Sequence, residues 1–226
     1  MLLEVIAETV EDAREAEQGG AGRIELVRDL SRGGLTPPPT LIEAVVRAVT
    51  IPVRVMVRET EPFEVVDPDE LSRLQTAARG AIDSGAAGLV LGFFRDGAVD
   101  VETVRKVLGP LSAAVTFHRA LDETERPIEA LAAVATEARL DRILTSGGAG
   151  DWPARLARLN ALREAAPANL TILPGAGLDD GALRDLARDG FTEAHVGRAA
   201  RVPSGHDGRV RASRVAELVA IARYFG

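Results

Sequence analysis

Residues 2–28, LLEVIAETVEDAREAEQGGAGRIELVR, contain the pattern that decides the fold. A short apolar run, Leu2–Ala7, is followed by a polar, alanine-rich stretch with helical spacing, Val10–Gln18. The pair Gly19-Gly20 comes next, and glycine is typical of the left-handed residue that ends a helix. A second apolar run, Arg23–Arg28, completes the stretch. It therefore predicts a strand–helix–strand unit, and such units form parallel sheets.

The same alternation continues along the chain. Strands are predicted at Leu2–Ala7, Arg23–Arg28, Val53–Arg58, Gly88–Phe93, Ala113–His118, Asp141–Thr145, Leu170–Pro174 and Thr192–Gly197. Helices are predicted at Val10–Gln18, Thr40–Val49, Pro68–Ser84, Asp100–Leu108, Pro127–Ala138, Asp151–Ala165, Asp179–Asp189 and Arg211–Tyr224. Eight such pairs in 226 residues are typical of a closed (β/α)8 TIM barrel. A doubly wound sheet is the alternative, but the glycine-rich first turn of that fold is missing after the first strand.

Composition sets limits on function. The chain is 46% hydrophobic and 27% charged, as in ordinary globular proteins, and no linker interrupts it, so we expect residues 1–226 to form a single TIM-barrel domain. The net charge of −7 argues against a nucleic-acid partner. No apolar run approaches the roughly 20 residues that cross a bilayer, and no leader pattern is present, so we expect a cytoplasmic protein without a membrane partner. The absence of cysteine excludes disulfides and thiolate chemistry.

Strand alternation predicts charged side chains inside the barrel. In Val53–Arg58 the valines suit the helix layer, which turns Arg54, Met56 and Arg58 inward. Further residues predicted to point inward are Glu4, Ile6, Glu8, Glu25, Thr116 and His118. A lone buried ion costs several kcal/mol, so we expect Glu4 and Glu25 to pair with arginines such as Arg54 and Arg58.

Four of these residues form the candidate catalytic set: His118, Glu25, Arg58 and Glu8. His118 and Arg58 fall at the carboxyl ends of their strands, where barrel active sites lie. The ordinary pKa of imidazole makes His118 a candidate general acid or base, which Glu25 or Glu8 would assist. Schiff-base chemistry is excluded, because the only lysine, Lys106, lies in the fourth predicted helix. If the protein is an enzyme, we expect His/Glu acid–base chemistry.

Glycine-rich loops after the late strands predict an anion site, because bare backbone N–H groups approach phosphate or carboxylate closely. The candidate substrate-binding residues are Arg119, Asp122, Thr145, Ser146, Gly147, Gly148, Gly175, Gly177, Gly197 and Arg198. Arg119 would hold an anion bidentately together with Arg58, and Asp122 is placed to start its loop or to tether Arg119. The long loop Asp29–Pro39 would form a wall over the site.

Four ordered segments resemble conserved segments of the CutC family: Gly33–Pro37 (GGLTP), Thr116–Ala120 (TFHRA), Arg142–Gly148 (RILTSGG) and Pro174–Gly177 (PGAG). The resemblance runs from residue 2 to about residue 201. It implies a (β/α)8 barrel, a cytoplasmic location, self-association, and copper binding or a role in copper homeostasis. The apolar, proline-rich stretch Leu35–Leu41 also favours a homo-oligomer. Family members often carry a cysteine where Val27 stands here.

The residues offer few ligands for copper. Cuprous copper prefers thiolates and thioethers, and the chain has no cysteine and only Met1 and Met56. Cupric copper would use imidazoles, of which His118 and His195 are the candidate metal ligands and His206 is read as a surface residue. Two functions stay open. One is a copper-homeostasis protein, with copper implied by the resemblance alone and no other cofactor. The other is a lyase- or isomerase-type enzyme for a small anionic substrate, phosphorylated in one version, without a specific copper site.

Overall fold

Parallel strands form a nearly closed barrel in the computed structural model, which describes residues 1–65 and 67–224. The barrel strands are β1 (Leu2–Ala7), β2 (Arg23–Leu26), β3 (Val53–Met56), β4 (Gly88–Leu91), β5 (Ala114–Phe117), β6 (Leu140–Thr145), β7 (Thr171–Pro174) and β8 (Glu193–Val196). The hydrogen-bonded order is β8-β1-β2-β3-β4-β5-β6-β7, and β7 and β8 lie beside each other to complete the ring. The predicted (β/α)8 fold class is confirmed.

Helices connect successive strands. They are α1 (Val10–Gln18), α2 (Pro39–Ala48), α3 (Pro68–Asp83), α4 (Val101–Leu108), α5 (Pro127–Val134), α6 (Trp152–Ala165), α7 (Asp180–Arg188) and α8 (Ala212–Tyr224). Several begin where an Asp or Thr side chain accepts a hydrogen bond from a free backbone N–H, as Thr9 does from Asp12 N at 3.0 Å. Among the described residues, no helix is long and apolar enough to span a membrane.

Strands β2 and β3 end two residues earlier than the sequence predicts. After Leu26 the chain leaves the sheet, and Arg28 forms an isolated antiparallel bridge with Leu35. After Met56 the backbone N–H of Arg58 donates to Thr36 Oγ1 at 2.8 Å instead of continuing the strand. The loop between β2 and α2 is thereby fastened to the loop after β3, and both form one side of the barrel mouth.

The barrel separates apolar packing from polar packing. The main apolar core lies between the strands and the helices, where Val5, Ile24 and Leu89 are fully buried. Inside the barrel, a smaller apolar cluster of Ile6, Val27, Leu30, Met56 and Val90 lies toward the carboxyl ends of the strands. Charged side chains fill the opposite end of the interior. The barrel mouth at the carboxyl ends therefore lies over an apolar layer, and the ion pairs of Arg23 and Arg54 lie deeper in the interior.

Candidate functional site

A cavity of about 360 Å³ opens at the carboxyl ends of the strands. Its polar lining residues are Glu25, Ser31, Arg58, His118, Arg119, His195, Arg198 and His206. Its apolar and glycine lining residues are Ile6, Leu30, Gly33, Met56, Phe63, Leu144, Ala176, Gly177 and Gly197. The structure thus brings Glu25, Arg58 and His118 to one pocket, as expected, and adds His195 to them.

Three acidic and imidazole side chains converge between β8, β1 and β2. Glu4 and His195 are direct partners in the β1–β8 ladder, and His195 Nδ1 lies 2.8 Å from Glu4 Oε1. Glu25 Oε2 lies 3.9 Å from the same nitrogen and has no hydrogen-bond partner in the described part of the chain. One potential ligand atom from each of the three lies within 4.8 Å of the others, and all three residues are buried. This cluster is the only such group found in residues 1–65 and 67–224.

Burial sets the charges of this cluster. Burial, together with the charge of Glu4, raises the pKa of Glu25 to about 7, against the attraction of His195 and Arg23. Burial also acts to raise the pKa of Glu4, but the hydrogen bond from His195 and the charge of Arg23 lower it to about 2. The charge of Glu25 and the hydrogen bond to Glu4 raise the pKa of His195 despite its burial. A charged Glu4 therefore faces a readily protonated His195.

His118 differs from the expected acid–base histidine. Its Nδ1 accepts a hydrogen bond from Ala120 N–H at 3.2 Å, so the neutral ring carries its proton on Nε2. Burial, with the charges of Arg58 and Arg119, lowers its pKa to about 3. The expectation that His118 titrates near neutrality is therefore wrong. The ring stays neutral at pH 7 and presents a hydrogen-bond donor, Nε2–H.

The interior carboxylates pair with arginines only in part: Glu4 has an arginine partner, whereas Glu25 Oε2 has no hydrogen-bond partner among the described residues. The arginine that pairs with Glu4 is Arg23, not one of the two named as examples, Arg54 and Arg58. Arg23 binds Glu4 through Nε and Glu193 through Nη2, the latter at 2.5 Å. Arg54 instead binds Asp141 on β6. Because the chain leaves β3 at Met56, the side chain of Arg58 reaches the loops and does not pair with Glu25.

Backbone carbonyls hold Arg58 in the pocket wall. Its Nε donates to Thr60 O at 2.9 Å and its Nη1 to Gly33 O at 3.3 Å, with a further bond from Nη2 to Glu61 O. Its guanidinium carbon lies 4.6 Å from the centre of the Phe63 ring, which in turn lies 4.9 Å from the His118 ring. Phe63 thus contacts both polar groups, although it was not among the predicted site residues. An aromatic residue in the loop after a barrel strand was the available signal.

Asp122 joins the loops that follow β5 and β6. Its carboxylate accepts bonds from Thr145 Oγ1 at 2.5 Å, Ser146 N at 3.0 Å and Ser146 Oγ at 2.7 Å. It also contacts Arg119 Nε at 3.3 Å, as predicted. The polar groups of Thr145 and Ser146 are therefore hydrogen-bonded to Asp122, and neither residue lines the pocket.

Only some of the predicted glycine residues lie in the pocket lining. The N–H groups of Gly147 and Gly148 donate to Thr145 Oγ1 and Ser146 Oγ, both at 3.1 Å. Gly175 N–H donates to Thr145 O at 2.9 Å. These donors are already used, so the expectation that they cradle an anion is wrong for this loop geometry. Of the predicted glycines, Gly177 and Gly197 line the pocket.

Two further residues lie differently from expectation. Glu8 follows the end of β1, accepts a bond from Leu30 N–H at 2.8 Å and pairs with Arg201 at 3.2 Å, so it holds loops together and is not in the pocket lining. His206 is exposed, as expected, but it lies at the pocket rim on the loop between the short paired segments Arg201–Val202 and Arg209–Val210.

Sequence comparisons agree with the family resemblance. A model of the CutC family matches residues 1–200. The human copper homeostasis protein cutC homolog is 37% identical over 209 residues, which are 90% of this chain and 76% of the human protein. A CutC family protein of Vibrio vulnificus is 33% identical over 207 residues, 89% of this chain and 82% of that protein.

Structural comparisons show the same fold in proteins with different names. A CutC crystal structure from Streptococcus agalactiae has a TM-score of 0.79 and 23% identity, covering 87% of this chain and 98% of that one. A thiamine phosphate pyrophosphorylase from Pyrococcus furiosus has a TM-score of 0.64 and 16% identity, covering 99% and 96%. At these identities the likeness concerns the barrel alone.

Proposed function

This chain belongs to the CutC family, and from this membership we propose that it acts in copper homeostasis by binding cupric copper at a buried cluster beneath the mouth of its barrel. The observation that carries the proposal is the buried cluster of Glu4, Glu25 and His195, whose candidate ligand atoms lie within 4.8 Å of one another. Glu25 Oε2 is buried and unpartnered among the described residues, which is a costly state for a carboxylate and one that a cation would relieve.

The donor set fits one oxidation state of copper. Two carboxylates and an imidazole are oxygen and nitrogen ligands, which suit Cu(II), whereas Cu(I) prefers the thiolates that this chain lacks. The proposed ligand set keeps one of the two predicted histidines and adds Glu4 and Glu25. His195 belongs to the cluster, but His118 does not, because its Nδ1 is bound to Ala120 N–H and the cluster forms around His195 Nδ1.

Binding at this cluster would compete with a proton. His195 Nδ1 shares its proton with Glu4 Oε1 at 2.8 Å, and a metal ligand must present this nitrogen deprotonated. Arg23 meanwhile holds the other oxygen of Glu4, which keeps that carboxylate oriented. Copper uptake should therefore release protons and weaken in acid.

Calorimetric titration with Cu(II) of protein purified without a histidine tag tests the proposal, with electron paramagnetic resonance to detect nitrogen coordination. We expect one Cu(II) per chain, at least about tenfold weaker binding in Glu25→Gln, and loss of the nitrogen signal in His195→Asn. The control is His206→Gln, which removes the exposed histidine at the rim. If His206→Gln abolishes binding while Glu25→Gln leaves it unchanged, copper binds the surface and the proposal is wrong.

The alternative function, a lyase- or isomerase-type enzyme, depends on acid–base chemistry by His118. Since burial and the charges of Arg58 and Arg119 lower the pKa of His118 to about 3, the neutral ring does not take up a proton near neutral pH, and its role as a general base in the alternative loses support. Self-association and a cytoplasmic location, both expected from the resemblance, stay predictions.

A further inference from the structure

His118 presents a buried hydrogen-bond donor to the pocket. The residue is 3% exposed, and its Nε2 has no hydrogen-bond partner among residues 1–65 and 67–224. Its other nitrogen is bound by Ala120 N–H, which fixes the proton on Nε2. A buried donor without a partner destabilises the folded state, so a donor kept in this state at a pocket wall points to a ligand that accepts from it.

Three arginine side chains line the same pocket as this donor. Arg58 and Arg119 line the same pocket. Burial lowers the pKa of Arg58, the charge of Glu61 raises it, and the charges of Arg119 and Arg32 lower it again. Arg119 also contacts Asp122 at 3.3 Å but keeps its remaining donors for a ligand. The carbonyl oxygens that hold Arg58 fix its position but carry no charge. Arg198 lines the pocket from the loop after β8, beside Gly177. Like charges that converge on a cavity are stabilised by an anion between them.

We propose that the pocket binds a small oxyanion, a carboxylate or a phosphate, which accepts from His118 Nε2–H and lies against the guanidinium groups of Arg58 and Arg119. The planar guanidinium matches two oxygens of either anion, and the neutral imidazole adds a donor that carries no charge into the buried wall. This site differs from the carboxylate–imidazole cluster and goes beyond the proposed function, because none of its three residues is a proposed copper ligand.

Two substitutions of His118 separate its two nitrogens. In His118→Asn the side-chain oxygen can still accept from Ala120 N–H, but the distal donor is gone. In His118→Gln the amide reaches the position of Nε2, but the bond to Ala120 N–H is lost. We therefore expect His118→Asn to fold and to lose anion binding, and His118→Gln to be less stable and to keep part of the binding.

Calorimetric titration of the EDTA-treated full chain tests the proposal, with inorganic phosphate and malonate as separate probes and sodium chloride at equal ionic strength as the reference. We expect saturable binding of at least one probe, at least tenfold weaker in His118→Asn and in Arg58→Met, and a shift of the His118 Nε2 resonance on binding. The matched control is Arg184→Met, which removes an exposed arginine on α7. The stronger of the two probes identifies the ligand as carboxylate-like or phosphate-like.

Three results would overturn the proposal. The first is that neither probe binds more than chloride does. The second is unchanged binding in both His118→Asn and Arg58→Met. The third is an equal loss in Arg184→Met, which would show that net charge alone attracts the anion. Because copper is absent from this experiment, its outcome is independent of the copper proposal.

Discussion

Arg54 crosses the barrel interior from β3 to β6 and binds Asp141 with both terminal nitrogens, Nη1–Oδ1 at 2.7 Å and Nη2–Oδ2 at 2.5 Å. The same Nη1 donates to Thr116 Oγ1 at 2.7 Å. Asp141 also pairs with Arg142, and its side chain is 34% exposed. The ion pair thus has one buried end and one end near solvent, unlike the pair of Arg23 and Glu4, which is buried at both ends.

This difference predicts unequal costs for two substitutions. Arg23→Met leaves Glu4 in the interior without its arginine, and we expect it to lower the free energy of unfolding by about 3–5 kcal/mol. Arg54→Met should cost less, because Asp141 keeps Arg142 and reaches water. Urea unfolding at pH 7 measures both, with the exposed Arg209→Met as control. Equal costs would contradict the unequal burial of the two carboxylates.

Strand alternation correctly placed Arg54 and Glu4 inside the barrel, and burial correctly required an arginine beside Glu4, but neither identified Arg23 as that arginine or Asp141 as the partner of Arg54. Alternation gives the face of a side chain, whereas the partner depends on the stagger of the strands around the barrel. Glu4 lies level with Arg23 and with His195, which follow from the registers of β1 with β2 and β8. These registers are set by packing and hydrogen bonding across the closed sheet, so no local pattern contains them.

Glu25 predicts an unusual pH dependence of stability. Its pKa is raised from 4.5 to about 7, so the folded state binds the proton more tightly and wild-type stability falls as pH rises from about 4.5 to 7, by up to about 1.4 kcal/mol per pH unit from this group. Glu25→Gln removes this loss. We expect the variant to gain stability relative to wild type across this range and to reach a plateau above pH 7, measured by urea unfolding with EDTA present.

The control for this experiment is Glu125→Gln, which changes an exposed carboxylate in the loop before α5. It measures the effect of removing one carboxylate outside the buried cluster. A difference between Glu25→Gln and wild type that stays constant from pH 4.5 to 8 would show that Glu25 ionises normally.

His118 predicts the opposite behaviour in acid. Its pKa is lowered from 6.5 to about 3. Between these two pH values His118 is protonated in the unfolded chain but neutral in the folded chain. This group therefore lowers wild-type stability as the pH decreases from 6.5 toward 3. His118→Asn lacks this group, so its stability relative to wild type should rise by up to about 1.4 kcal/mol per pH unit between pH 6 and 4. Comparison with His206→Asn, an exposed histidine, isolates the effect. Parallel pH profiles for all three proteins would contradict a buried neutral ring.

The loops show why only part of the site could be predicted. The sequence identified His118 and Arg58 because strand ends in a barrel share one mouth, and Glu25 because strand alternation turns it inward. It also predicted anion binding by Thr145, Ser146, Gly147 and Gly148. Their polar groups instead bind Asp122 and one another. It also missed Arg155, which donates to Ser146 O at 2.7 Å. Glycine content shows that a loop can approach a ligand, but the hydrogen bonds inside the loop decide whether its donors are free.

Asp122 therefore predicts a structural effect on the loop after β6. Its carboxylate accepts from Thr145 Oγ1 and from both donors of Ser146, and an amide in its place has one acceptor fewer and adds a donor facing those donors. We expect Asp122→Asn to lower the free energy of unfolding by about 1–3 kcal/mol and to speed amide hydrogen exchange at Ser146 and Gly148, because unpaired donors open the loop to water. Exchange measured by nuclear magnetic resonance at pH 7 tests this, with the exposed Asp207→Asn as control. Unchanged protection of Ser146 would mean that the loop keeps its shape without this carboxylate.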